Sequence, residues 1–93
     1  MESRIERYMF RVQFRNRMGD YRGRIYRDEE ERLTLQMWME APEQHNILLE
    51  VAPHTDRDLL WKHFHQLCAF RGVKPLEYRR VDPLGEWQPV PGA

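Results

Sequence analysis

The sequence predicts an α+β fold: an antiparallel β-sheet of about four to five strands with one long amphipathic helix, about residues 56–71, packed on one face. Three observations predict it. Apolar and polar residues alternate from Tyr8 to Arg27, the two-residue period of a half-buried strand. Between Asp56 and Arg71 the apolar residues instead recur three and four apart, the period of an amphipathic helix. Clusters rich in Gly, Pro, Asn and Asp separate these stretches, as turns require.

The chain has 93 residues, enough for one domain. We expect a single compact unit over residues 1–82 and a loose Pro/Gly-rich C-terminal tail over 83–93. A hydrophobic fraction of 41%, with three Trp, four Tyr and four Phe, is too high for a disordered chain despite 32% charged residues. Aromatic rings supply much of the burial available to a core this small.

The elements follow in order. Tyr8, Phe10, Val12 and Phe14 alternate with Met9, Arg11, Gln13 and Arg15, which gives a strand with one apolar and one basic face. Asn16 to Asp20, containing Gly19-Asp20, reads as the hairpin loop. Tyr21, Gly23 and Ile25 then alternate with Arg22, Arg24 and Tyr26 in a second strand. Residues 28–41 are ambiguous: Glu, Leu, Gln and Met favour a helix, but Leu33, Leu35, Met37 and Met39 alternate strictly with Thr34, Gln36 and Trp38. Period outranks propensity in a short element, so a third strand is expected, with Asp28–Glu31 as a tight acidic turn. Pro42 to Asn46 forms the next turn, and Ile47 to Ala52 the next strand, with Ile47, Leu49 and Val51 on one face. Thr55 is the expected helix N-cap, matching the Thr55-x-x-Asp58 pattern, and Gly72 the stop. Leu60, Trp61, Phe64, Leu67 and Cys68 form the core face of the helix. A last strand is expected around Leu76 to Val81.

Net charge is zero, but it is unevenly laid down. Residues 1–27 hold eight arginines against Glu2, Glu6 and Asp20, whereas residues 28–58 hold nine acids against Arg32 and Arg57. A basic face and an acidic face bear on what a protein touches more than on how it folds. Arg outnumbers Lys by thirteen to two. The planar five-donor guanidinium suits carboxylates, phosphates and aromatic faces, so this bias points to contact surfaces.

Chemistry-bearing motifs are few. One cysteine, Cys68, permits no internal disulfide and suits a reducing cytoplasm, which is the expected location. No apolar stretch follows Met1–Arg4 as a secretory signal requires, and Ile47-Leu48-Leu49 is far too short for a membrane span. His65 and Cys68 share a helix face and His54 could join them, but a fourth ligand is missing and the set falls short of a zinc signature. Asp28–Glu31 lacks the spaced ligands and central Gly of a calcium loop. The single serine, Ser3, lies near a terminus, and no phosphate loop or nucleophile elbow occurs. Glu40 and Glu50 could pair across a hairpin, without a pocket to tune them. No cofactor, metal or catalytic residue is expected.

The expected function is therefore a small non-enzymatic binding protein that acts through a macromolecular protein partner with an acidic surface, such as a phage-type accessory or inhibitor of a host protein complex. The expected contacts are Arg11, Arg15, Arg22, Arg24 and Tyr26 on one hairpin face, with Leu59, His63 and Phe70 as a second stripe on the helix. The alternative is direct nucleic-acid binding by the Arg-rich hairpin face, with Tyr26 as the stacking ring. Further alternatives are an arginine face that meets only solvent, a homodimer in which the acidic segment of one copy meets the basic face of another, and capture of the extended Trp87–Pro91 tail by a groove.

Overall fold

In a computed structural model of the chain, residues 4–39 and 47–92 are described. The elements are β1 (Ile5–Phe14), β2 (Arg17–Arg27), β3 (Leu33–Met39), β4 (Ile47–His54), α1 (Arg57–Arg71), β5 (Val73–Arg80) and β6 (Gln88–Pro89). They make one antiparallel sheet in the order β4-β3-β2-β1-β5-β6. The first four strands form a meander. Helix α1 then carries the chain from edge strand β4 back across one face and delivers β5 beside β1. The α+β class and the third strand in the ambiguous stretch agree with the sequence. Among the described residues the strand count is six, above the four to five expected, and the helix spans 15 residues, an ordinary length rather than a long one.

The covered face is built by alternation. Tyr8, Phe10 and Val12 on β1 meet Tyr21 and Ile25 on β2, Leu33, Leu35 and Met37 on β3, and Leu49 and Val51 on β4. The helix adds Leu60, Trp61, Phe64 and Cys68, all buried, with Leu67 partly so. Phe10 is at the centre, its ring 5.4 Å from Phe64 and 6.0 Å from Tyr78. Gly23 faces it across the β1–β2 ladder through the Tyr8–Gly23 pair, and a methyl group at residue 23 would overlap the Phe10 ring. The glycine is there because the ring needs its space.

A polar clamp ties the sheet to the start of the helix. Arg57 donates to both carboxylate oxygens of Glu6, at 3.0 and 2.7 Å, and the Tyr8 hydroxyl donates to Glu6 at 2.6 Å. Burial alone would push the Glu6 carboxyl up. The bonds from Arg57 and Tyr8 outweigh it and hold the group below the ordinary carboxylate range.

Several local expectations shift. The N-cap is Asp56, not Thr55: its carboxylate accepts from the Asp58 N–H at 2.8 Å. An anion at the positive end of the helix dipole is stabilised there more than a neutral hydroxyl. Gly72 stops the helix in the left-handed conformation, as expected (φ 71°). The β1–β2 turn is Arg15-Asn16, with φ of 53° and 62°, and Gly19-Asp20 lies inside β2. Two successive positive φ values make the tight turn that matches strand twist, so the loop is shorter than composition suggested. Strand β5 begins at Val73 rather than Leu76, because Pro75 sits where the β1–β5 register shifts between Arg11 and Val12, a place that tolerates a missing donor. A second register shift sets Ile47 opposite Trp38, off the core face, and leaves it 48% exposed.

The 83–93 stretch was expected to be loose. Instead β6 pairs with β5, Val90 is buried in the core, and the His65 ring donates to the Pro91 carbonyl at 2.6 Å. Two apolar anchors, Trp87 and Val90, outweigh a Pro/Gly composition that on its own favours fraying. The 42–46 turn, Ser3 and Glu40 lie outside the described residues.

Candidate interaction surface

Among the described residues, no helix covers the opposite face of the sheet. Its side chains follow from parity and register: Arg7, Met9 and Arg11 from β1, Arg22, Arg24 and Tyr26 from β2, and Gln36 and Trp38 from β3. The strand pairs Arg7–Arg24 and Met9–Arg22 put three guanidinium groups around one methionine. Arg24 is the hub. Its Nε donates to Gln36 at 2.7 Å, and Gln36 in turn donates to Glu50 at 2.6 Å. Its guanidinium lies 5.4 Å from the Trp38 ring centroid and 5.7 Å from that of Tyr26. Such contacts hold an arginine in one place without neutralising it.

Between these groups lies a cleft of about 110 Å³ lined by Arg7, Met9, Arg22, Arg24 and Trp38. A shallower depression of about 340 Å³, lined by Arg4, Ile5, Arg24, Tyr26 and Arg27, adjoins it through Arg24. The two make a basic and aromatic strip across the middle strands.

The hairpin residues expected to act together are separated. Arg22, Arg24 and Tyr26 do lie on this face. Arg11 lies on it too, but pairs with Asp20 at 3.6 Å and Glu77 at 3.3 Å, while Trp87 stacks 4.1 Å from its guanidinium. Arg79 reaches the same ring from β5, at 5.1 Å. Arg15 is in the turn and lies over the Phe14 ring at 5.0 Å, toward the covered face. The sequence reading missed Arg7, Met9 and Trp38. The signal was present: Arg7 and Met9 share the parity of Arg11, and Trp38 occupies an outward position of the third strand.

The acidic turn is spoken for within the molecule. Asp28 accepts from the backbone N–H of Glu30 and Arg32 and pairs with the Arg32 guanidinium at 3.0 Å. The Arg32 N–H bond, foremost, holds its carboxyl below the usual range. Glu31 pairs with Arg4 at 3.4 Å and Arg27 at 3.2 Å, and Glu30 with Arg32 at 3.0 Å. The basic and acidic blocks of the sequence thus meet at this corner of the fold.

The helix stripe divides as well. Phe70 is 85% exposed and Leu59 43%. His63 is half-buried and shares a 2.7 Å hydrogen bond with His54, one imidazole donating to the other. His65 bonds Pro91, so the His54, His65 and Cys68 set does not converge, and no group of three metal-ligating side chains occurs among the described residues. The Cys68 thiol is buried, and burial pushes its pKa up to about 12. No helix among the described residues is long and apolar enough to cross a membrane.

No family model, curated protein or solved structure matches this chain.

Proposed function

We propose that this protein is a non-enzymatic binding module that engages a protein partner through the uncovered face of its sheet. The cleft lined by Arg7, Met9, Arg22, Arg24 and Trp38 carries the reading. Arg, Trp and Met are among the residues enriched at protein-binding interfaces, and here they line one recess on the uncovered face. At about 110 Å³ the recess suits one inserted side chain. Cys68, the one thiol, is held protonated in the core and out of reach of a substrate. An accessory or inhibitory subunit fits a chain that offers a surface in place of reaction chemistry.

Direct nucleic-acid binding is the second reading, favoured by the arginines on the open face of the sheet. It is the weaker one. A pI near 6.9 departs from the strongly basic balance of such proteins. Arg11 is already engaged by carboxylates, and the rings of Tyr26, Trp38 and Trp87 already have guanidinium groups over them. Affinity purification from the native cell, with a nuclease-treated control, tests the choice. A stable protein companion that survives nuclease supports the protein reading, and its loss with nuclease sinks it.

A further inference from the structure

We infer that the cleft receives an acidic side chain from an extended segment of the partner, with the rest of that segment lying along the adjoining strip. The inference rests on the protein-binding reading of the same face. Charge complementarity carries it. Arg7 is exposed and makes no ion pair among the described residues, and the cleft sets it beside Arg22 and Arg24. A guanidinium fork accepts a carboxylate through two parallel bonds, and Arg24 is already oriented by Gln36, so less freedom is lost on binding. Met9 and Trp38 offer an apolar wall in the same recess, so the aliphatic stem of a glutamate, or a neighbouring apolar residue, finds a partner.

Arg7 and Arg24 line the cleft together with Met9 and Trp38. Away from the cleft, Arg11 is engaged by Asp20 and Glu77, and Arg4 and Arg27 by Glu31. A nucleic-acid strand presents a phosphate at every step and gains from a long unneutralised track. Arg7 and Arg24, side by side across the β1–β2 ladder, suit one or two carboxylates instead. Ile5 and Tyr26, in the adjoining depression, give the flanking residues of the segment an apolar bed.

The test uses the full chain, a fluorescein-labelled peptide rich in Glu and Asp that contains leucines, and a labelled deoxythymidine oligomer of equal net charge. Anisotropy titrations at physiological salt should show the peptide binding at least about tenfold more tightly than the oligomer. Arg7→Glu should weaken the peptide by about tenfold or more, as loss of a charged hydrogen-bond pair predicts. Lys62→Glu, on the exposed surface of the helix, should leave it unchanged. Equal or tighter binding of the oligomer overturns the inference, as does an Arg7→Glu protein that stays folded and keeps its affinity. A native partner that Arg7→Glu retains fully would move the contact elsewhere, sinking this inference while the protein-binding reading stands. If the purification yields no protein companion, both fall.

Discussion

The two faces of one sheet use the same residue types to opposite ends. On the covered face Trp61 is 4% exposed and packs edge-on against Phe64, with ring planes at 89°. On the open face Trp38 is only partly buried and lies against Arg24. Tyr8 is buried, with its hydroxyl bonded to Glu6, whereas Tyr26 lines an open depression. Arg57 on the helix side is committed to a carboxylate, whereas Arg7 on the other is not engaged by one among the described residues. Aromatic and cationic groups hold the molecule together on one side and are displayed on the other. Substitutions on the covered face should therefore act on stability, and those on the open face, under the proposed function, on binding.

The largest expected effect is at the tightest point of the covered face. Gly23→Ala drives a methyl group into the Phe10 ring and should lower unfolding free energy by about 2–3 kcal/mol in urea denaturation. For a domain this small that is a large share of the total. Phe10→Leu alone loses packing, but in the double variant the smaller side chain makes room for the methyl group, so the two changes should cost less together than their sum. Strict additivity would show that the glycine is not there for the ring.

The clamp is the next test, and it depends on pH. Glu6 has a folded pKa held below its ordinary value near 4.5, so its contribution is present above that value and lost as pH falls through the lowered one. Glu6→Gln should destabilise the protein by about 1 kcal/mol near neutral pH, a figure discounted because the Arg57 side chain is 38% exposed. The gap between variant and parent should close in more acidic solution. A gap constant down to strongly acidic pH would remove Glu6 from the clamp.

These cases also show what was legible in the sequence. Alternation placed Phe10, Val12, Tyr21 and Ile25 inward and Arg22, Arg24 and Tyr26 outward, because a side chain's face depends only on parity along its own strand. The helix and its core stripe followed from a period in the same way. Whatever depends on two strands at once was not legible. The Arg15-Asn16 turn fixes the register that sets Arg7 opposite Arg24, and nothing in the local pattern distinguishes it from a loop three residues further on. The order β1-β5-β6 brings Glu77 to Arg11 and Trp87 over both Arg11 and Arg79. A contact between residues so far apart in the chain cannot be read from spacing. The candidate site was therefore half legible: its β2 members were visible, and Arg7, Met9 and Trp38 joined them only through pairing.

The turn offers a smaller effect of opposite sign. Arg15 holds a positive φ, which its Cβ disfavours, and Asn-Gly is the preferred pair for such a turn. Replacing Arg15-Asn16 by Asn-Gly should raise the urea midpoint, by about 0.5–1 kcal/mol in free energy. It should leave the acidic-peptide titration unchanged, since Arg15 lies over Phe14 and not beside the cleft. A loss of peptide affinity in this variant would return Arg15 to the binding face.

Arg7→Ala is the smallest change in stability and the sharpest test of the contrast between the faces. The side chain is exposed, it makes no ion pair among the described residues, and its backbone partners in the ladder are untouched. Surface substitutions of this kind stay within about 0.5 kcal/mol of the parent. Its neighbour across the ladder is Arg24, so removing one of two like charges could even give a slight gain. The urea curve should therefore superimpose on that of the parent while peptide affinity falls several-fold. A clear loss of stability would mean that Arg7 holds the sheet together, as Arg57 holds the helix to it, and that the division between a structural face and a displayed face fails at this arginine.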